Sequence, residues 1–400
     1  MNSRERNSIF IADFIVPFLS IFGVVMFFPI LPTLQKIFGV TISQVSWLPN
    51  IGYLVMILFS PVVGSLIKKT GTKPLLLTFV FLWIFGISIE ILSITIIKYP
   101  LFVFGRFIEA LGEAAFFPLV LSMSKVALSS EDQKKSSTIL EIGAAAGGLV
   151  AAMITGSFIN EPIKLFLIPI TIGIIVWFFI LISIKNAHEK VEENFISEDV
   201  PQDNKKIYIS LVLLIFSAQA IFGSIQVYLA YYMESFKAIG STGRVLSLEQ
   251  ILGVVGTILP VILLRKLSFK AIRNYVFIVF IVSAVGIGMH LSLGISMLFL
   301  ALTALFVGIA FSTLNIFLAK SIHTNVSRKM SLYTSIRFLG GFLISLLWGR
   351  LIEFYAVRGF DYSATFKILY FGIAVFAFII VVVSMTLQKD EKILEETLKE

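Results

Sequence analysis

Apolar residues run in stretches of about 20 along nearly the whole chain, broken by short polar turns and by one long polar segment. The stretches fall near 9–32, 44–67, 74–97, 100–126, 138–160 and 163–184, then 207–233, 244–264, 274–293, 296–319, 330–354 and 364–387. A helix needs roughly 20 residues to cross about 30 Å of hydrocarbon, so each stretch predicts a spanning helix. Lipid offers no partner to backbone N–H and C=O groups, which leaves helix bundles and closed barrels as the structures that can span. A barrel would show short alternating strands; these runs are too long and too uniformly apolar. The pattern predicts an all-α membrane protein of twelve transmembrane helices.

The long polar segment, Lys185–Lys206, divides the chain into halves of similar size. It gives a first six-helix bundle (1–184), a cytoplasmic linker (185–206), a second six-helix bundle (207–387) and a charged tail (388–400). Composition agrees with lipid as the solvent. Of 400 residues, 58% are apolar and 14% charged, and the mean hydropathy is +0.96. A soluble protein of this length needs a hydrated, charged surface, and this chain has too few charges to make one.

The net charge of +8 resides largely in the turns, where it sets topology rather than marking a nucleic-acid partner. With the N-terminus inside, clusters such as Lys68–Lys69, Lys134–Lys135, Arg265–Lys266 and Arg328–Lys329 fall on one side. The basic residues then favour that side roughly three to one, which predicts both termini in the cytoplasm. The first stretch carries Asp13 and has no small-residue cleavage site after it, so it reads as a retained helix rather than a signal peptide. Abundant Ile, Lys and Phe suggest a bacterial source, and the setting is a plasma membrane. There is no cysteine, and three scattered histidines do not make a metal cage, so no metal site is predicted.

A repeat links the two halves. Lys68, Lys69 and Lys73 after the second span have the spacing of Arg265, Lys266 and Lys270 after the eighth. A Pro-Val pair precedes each (Pro61-Val62, Pro260-Val261), and Gly143 and Gly340 stand at the same offset. Two matched bundles with a site between them at midplane is a transporter architecture.

On these residues the chain resembles the major facilitator superfamily over nearly its whole length. The family's loop after the second span reads Gly-x-x-x-Asp-Arg/Lys-x-Gly-Arg/Lys-Arg/Lys. Here Gly64, Lys69, Gly71 and Lys73 match, while Lys68 replaces the acid and Thr72 a base. The family's proton antiporters carry an arginine followed by small residues in the fourth span, as Arg106 to Ala115 does, with Glu109 at the usual glutamine. Its exporters carry Gly-x-x-x-Gly-Pro in the fifth; Gly143 and Gly147 match, and Gly148 replaces the proline. The resemblance implies two pseudo-symmetric six-helix bundles. Gating would fall to Gly64, Lys69, Gly71, Lys73, Gly143 and Gly147, and the first, fourth, seventh and tenth spans would surround the cavity.

Ionisable groups inside the spans need a partner, a cavity or a task, since each costs about 2.5–3.5 kcal/mol at the bilayer centre. Arg106, Glu109 and Glu113 share one helical face within about 60°, which should line the cavity. Arg106 and Glu109 can pair, leaving Glu113 less compensated and suited to bind a proton or cation. Glu109 is the alternative, and a structural Arg106–Glu109 pair is the plain reading. Glu90 and Asp13 are further proton-coupling candidates; Glu90 could simply neutralise Arg106, and Asp13 could be a hydrated partner of a helix N-terminus. Arg106, Glu113, Gln219, Gln226, Arg337 and Glu249 are candidates to bind substrate, against interhelical hydrogen bonding as the alternative for the glutamines. Tyr228, Tyr231 and Tyr232 read as an interfacial aromatic belt.

Together these features predict a secondary active transporter without a bound cofactor, driven by the proton gradient and working as a monomer. The resemblance implies export, and the excess buried acid in the first half favours a small cationic or zwitterionic amphiphile as cargo, a drug or a secreted metabolite such as a metal chelator. Uptake by symport is the alternative. An intramembrane enzyme is disfavoured: there is no His-Glu-x-x-His, nucleophile elbow or cysteine.

Overall fold

A computed structural model describes residues 3–185, 205–321 and 326–387. Most of the predicted linker and the whole predicted tail lie outside the described residues. The first half contains α1 (Ser3–Phe38), α2 (Ile42–Val45), α3 (Trp47–Thr70), α4 (Thr72–Ile96), α5 (Tyr99–Ala127), α6 (Ser130–Ser157) and α7 (Pro162–Ser183). Then come α8 (Lys205–Ser235), a 3-10 turn (Ile239–Ser241), α9 (Thr242–Leu263), α10 (Phe269–Met289), α11 (Leu293–Ser321), α12 (Val326–Val357) and α13 (Tyr362–Leu387). No strand occurs among the described residues. Among the described residues, twelve helical stretches are long and apolar enough to cross a membrane.

Several helices overrun the predicted spans, because capping residues rather than hydropathy set their ends. α6 starts at Ser130, well before the predicted 138, since the Ser129 hydroxyl accepts from the Asp132 N–H at 3.3 Å. The predicted spans 274–293 and 296–319 are displaced as well. His290 turns left-handed at φ 52° and ends α10, and the Ser292 hydroxyl accepts from the Ile295 N–H to open α11. At Gly71, φ is 81°, a conformation that favours glycine, and there α3 gives way directly to α4.

The chain divides into two compact units, Met1–Phe195 with Gly240–Ser247 and Ile196–Ile239 with Leu248–Glu400. In the first, α1 packs along α6 and α4 along α5, with α3 also against α5. A Cβ at Gly143 or Gly147 would collide with the carbonyl oxygens of Phe14 and Phe18, so α1 and α6 touch backbone to backbone. In the second unit α8 packs along α12, where a Cβ at Gly340 would collide with the Phe216 carbonyl oxygen. The repeated glycine thus makes the same kind of helix contact in each unit. Large apolar side chains face outward, among them Leu58, Phe81, Ile182 and Val375. In a spanning bundle these positions meet acyl chains, a solvent as apolar as leucine itself.

Candidate functional site

The densest group of charges lies inside the first unit, on α5. Pro100 in the first turn starts the helix without sacrificing a needed N–H. Arg106, Glu109 and Glu113 then fall on one face at i, i+3 and i+7, while Phe104 and Phe107 point outward. All three charged side chains are buried, at 1%, 0% and 1% exposure.

Three neighbouring helices enclose the stripe. α1 passes it at Gly23, where a Cβ would stand 2.5 Å from Glu113 Oε1 and 3.1 Å from Glu109 Oε1. α3 passes it at Gly52, where a Cβ would stand 2.9 Å from Arg106 Nη2. α4 brings Glu90 and Trp83 to it. Gly86 and Gly105 let α4 and α5 approach to backbone contact, and this closeness carries Glu90 onto Glu109.

Arg106 is the hub. Its Nη1 lies 2.5 Å from Glu109 Oε2. Its Nη1 and Nη2 donate to the two oxygens of Glu113 at 3.3 and 3.2 Å, a forked pairing. Nε donates to the Leu48 carbonyl of α3 at 3.2 Å, and the guanidinium lies 4.3 Å above the Phe27 ring of α1. The Trp83 indole nitrogen sits beside Glu113. Glu90 is fully buried where α4 and α5 touch, close to Glu109, and neither of its oxygens has a hydrogen-bond partner. Two carboxylates held this close repel unless one carries a proton. The cluster sets three carboxyls against one guanidinium, a composition that can store protons.

This geometry corrects two expectations. Arg106 does not pair with Glu109 alone; it holds Glu113 as well, because one turn further along the same face is within reach of a long guanidinium. The acid without a bond from Arg106 is Glu90. The stripe is also not an open cavity lining, but is enclosed by α1, α3 and α4.

The remaining candidates are dispersed. Asp13 is fully buried and accepts from the Ser124 hydroxyl of α5 at 2.7 Å. Because α1 begins at Ser3, Asp13 lies nearly three turns inside and cannot be a hydrated partner of the helix N-terminus. Gln219 Oε1 accepts from Arg337 Nε at 3.0 Å, and the Arg337 guanidinium lies 3.9 Å over the Phe311 ring. The Gln226 amide nitrogen is buried without a hydrogen-bond partner. Glu249 is buried in the second unit, with neither carboxyl oxygen hydrogen-bonded.

Among the gating candidates, Gly64 lies in α3 and Lys69 is exposed. Lys73 Nζ donates to the Leu181 carbonyl at the end of α7 at 2.8 Å. Tyr228, Tyr231 and Tyr232 are not an interfacial belt. All are at most 1% exposed, with Tyr228 Oη donating to the Ser345 carbonyl and Tyr232 Oη lying 2.8 Å from Ser296 Oγ. Sequence reasoning missed Gly23, Gly52, Trp83, Phe27 and the Leu48 carbonyl. The available signal was two glycines inside strongly apolar spans, at heights where a neighbour must approach closely.

Twelve apolar helices of spanning length and no strand among the described residues make this a polytopic all-α membrane fold. The sequence pattern of the Major Facilitator Superfamily matches residues 14–345, and the chain belongs to that family. It is 28% identical over 147 residues to the bacillibactin exporter of Bacillus subtilis (strain 168). That match covers 36% of this chain and 37% of the relative. Among solved structures, a bacterial homolog of the human lysosomal transporter Spinster, inward-facing and occupied, superposes with a TM-score of 0.82 at 12% identity, covering 97% of this chain and 98% of that one. The nucleoside transporter NupG gives 0.74 at 13%, covering 97% and 100%. A D-xylose–proton symporter gives 0.73 at 11%, covering 96% and 97%. These likenesses establish the fold. The protein is a multi-pass membrane transporter.

Proposed function

We propose that this transporter exports a small cationic or zwitterionic amphiphile in exchange for protons. The observation that carries the reading is the enclosed cluster of Glu90, Glu109 and Glu113 around a single Arg106. Ionised together, the four groups would leave an uncompensated negative charge out of contact with water, which is costly. Protons are the natural compensation. With Glu113 ionised, Arg106 is shared between Glu109 and Glu113. A proton on Glu113 weakens the forked pairing and leaves Arg106 to Glu109. Gly23 and Gly52 sit against these groups, so a shift of Arg106 changes the contacts of α1 and α3 directly. That is a means for proton arrival to bias helix packing, as alternating access requires.

The outward direction is supported by the similarity to a relative named as an exporter. The fold itself also serves a D-xylose–proton symporter, so direction rests on that relative and not on the architecture.

Ethidium accumulation tests the reading in cells that express or lack the protein. Expression should lower accumulation several-fold, and an uncoupler should abolish the difference. Glu113→Gln should fold and reach the membrane yet transport nothing against a gradient. Uncoupler-insensitive protection, or full pH-dependent transport in Glu113→Gln, would overturn the assignment. Comparison of metabolites in medium from cells with and without the gene identifies the native cargo.

A further inference from the structure

The second unit carries a cationic group that the mechanism above does not use. Arg337 lies in α12, inside the spanning stretch Leu332–Val357. Its side chain is half-buried. A guanidinium turned to acyl chains is costly, and ionisable groups within spans face a bundle interior or water. The exposed part of Arg337 therefore looks into a wet recess.

Two neighbouring helices fix the guanidinium there. Gln219 of α8 accepts from its Nε at 3.0 Å, and Phe311 of α11 covers one face at 3.9 Å. Phe222 of α8 stands edge-on to Phe311, with ring centroids 6.1 Å apart and planes at 89°. Phe222 and Phe311 are themselves half-buried, so two ring surfaces are open beside the cation.

Two buried polar groups extend the arrangement. Gln219, Phe222 and Gln226 fall at i, i+3 and i+7 and share one face of α8. Gln226 is 4% exposed, and its amide nitrogen has no hydrogen-bond partner. Tyr333, one turn before Arg337 on the same face of α12, is 2% exposed with an unpartnered hydroxyl. A buried donor without a partner carries a desolvation cost that an acceptor on a ligand would relieve.

Charge sets the sign of that ligand. Residues 207–233 of α8, 293–318 of α11 and 332–349 of α12 contain one charged side chain, that of Arg337. The helices that build the recess thus give it a positive potential, opposite in sign to the acid-rich cluster of α5. A guanidinium fork matches the two oxygens of a carboxylate. The two phenylalanine rings match a flat apolar group attached to it.

We propose that Arg337, Gln226 and Tyr333, walled by Phe222 and Phe311, form a subsite for a carboxylate borne on an aromatic ring. As a cargo site it rests on the export reading above, and it narrows the cargo from cationic to zwitterionic amphiphiles. As an anion site it stands on the second unit alone.

Calorimetry of naphthoate binding to the purified full-length protein, in nanodiscs of phosphatidylcholine, tests the subsite. Naphthylmethanol serves as the neutral probe of matched shape. Naphthoate should saturate, and the alcohol should bind at least about tenfold more weakly, as the loss of a charged hydrogen bond implies. Arg337→Gln should abolish that preference, and Arg337→Lys should reduce it, since the charge stays and the fork goes. Phe222→Ala should weaken both probes alike and leave the preference standing. Equal binding of the two probes by the wild type would overturn the proposal, and so would an undiminished preference in whichever Arg337 variant folds. Added phosphatidylglycerol should leave naphthoate binding unchanged; competitive displacement would mark a lipid-headgroup site and overturn the cargo subsite. Saturable naphthoate binding alongside uncoupler-insensitive ethidium handling would refute the export reading and leave the subsite standing. Energised ethidium export without naphthoate binding would do the reverse.

Discussion

The two units share a packing scheme and differ in how they treat charge. In the first, one arginine binds two glutamates, a third acid abuts them, and glycines of α1 and α3 close over the group. In the second, Arg337 leans on Phe311 and donates to the neutral amide oxygen of Gln219, while Glu249 is buried with no hydrogen bond to either oxygen. A repeat that duplicates helix contacts therefore need not duplicate chemistry. Backbone contact between helices demands small residues at fixed heights, which both units keep at Gly143 and Gly340. Charged groups answer to a different requirement, since each must find compensation among its own neighbours. The first unit concentrates compensation in a single hub, and the second disperses it.

Removing the hub is expected to have the largest effect. Arg106→Ala leaves Glu109 and Glu113 buried without their cation, at about 3–5 kcal/mol for a broken buried pair. Thermal unfolding of the purified protein should show a large fall in midpoint. Adding Glu109→Gln and Glu113→Gln should recover much of the loss; if it does not, charge compensation is not what Arg106 supplies.

The shared packing scheme is probed next. Gly143→Ala and Gly340→Ala each force a helix off a carbonyl oxygen and should each cost about 2 kcal/mol, within the range for overpacking. Similar losses for the two are the expectation, read from the same unfolding measurement. A tolerated change in one unit alone would show that the repeat is not energetically matched.

Gln219→Ala should cost about 1.5 kcal/mol, toward the upper end for interhelical hydrogen bonds in membranes. Gln219→Glu, which keeps an acceptor oxygen for Arg337 Nε, should recover most of that loss. The smallest effect belongs to Tyr232→Phe, which gives up the hydroxyl bonds to the Ser296 side chain and the Ile287 carbonyl. About 0.6 kcal/mol is the average for a membrane hydrogen bond. A much larger loss would mean that the tyrosine cluster governs the packing of α8 against α10.

The amino-acid sequence by itself determined that the chain is a bundle of spanning helices. Hydrocarbon thickness and the cost of unpaired backbone groups act on each segment separately, so local hydropathy is sufficient. It likewise determined that Arg106, Glu109 and Glu113 share a face, because helical periodicity is a property of one helix. Helix ends were less legible where polar caps such as Ser129, or a left-handed His290, extend or cut a helix independently of hydropathy. The tertiary structure alone decided that Arg106 reaches both glutamates under Gly23 and Gly52, that Glu90 abuts Glu109, and that the tyrosines of α8 are core. These outcomes depend on which neighbouring helix presents a small residue at a given height, and residues distant in sequence meet there only once the helices have packed.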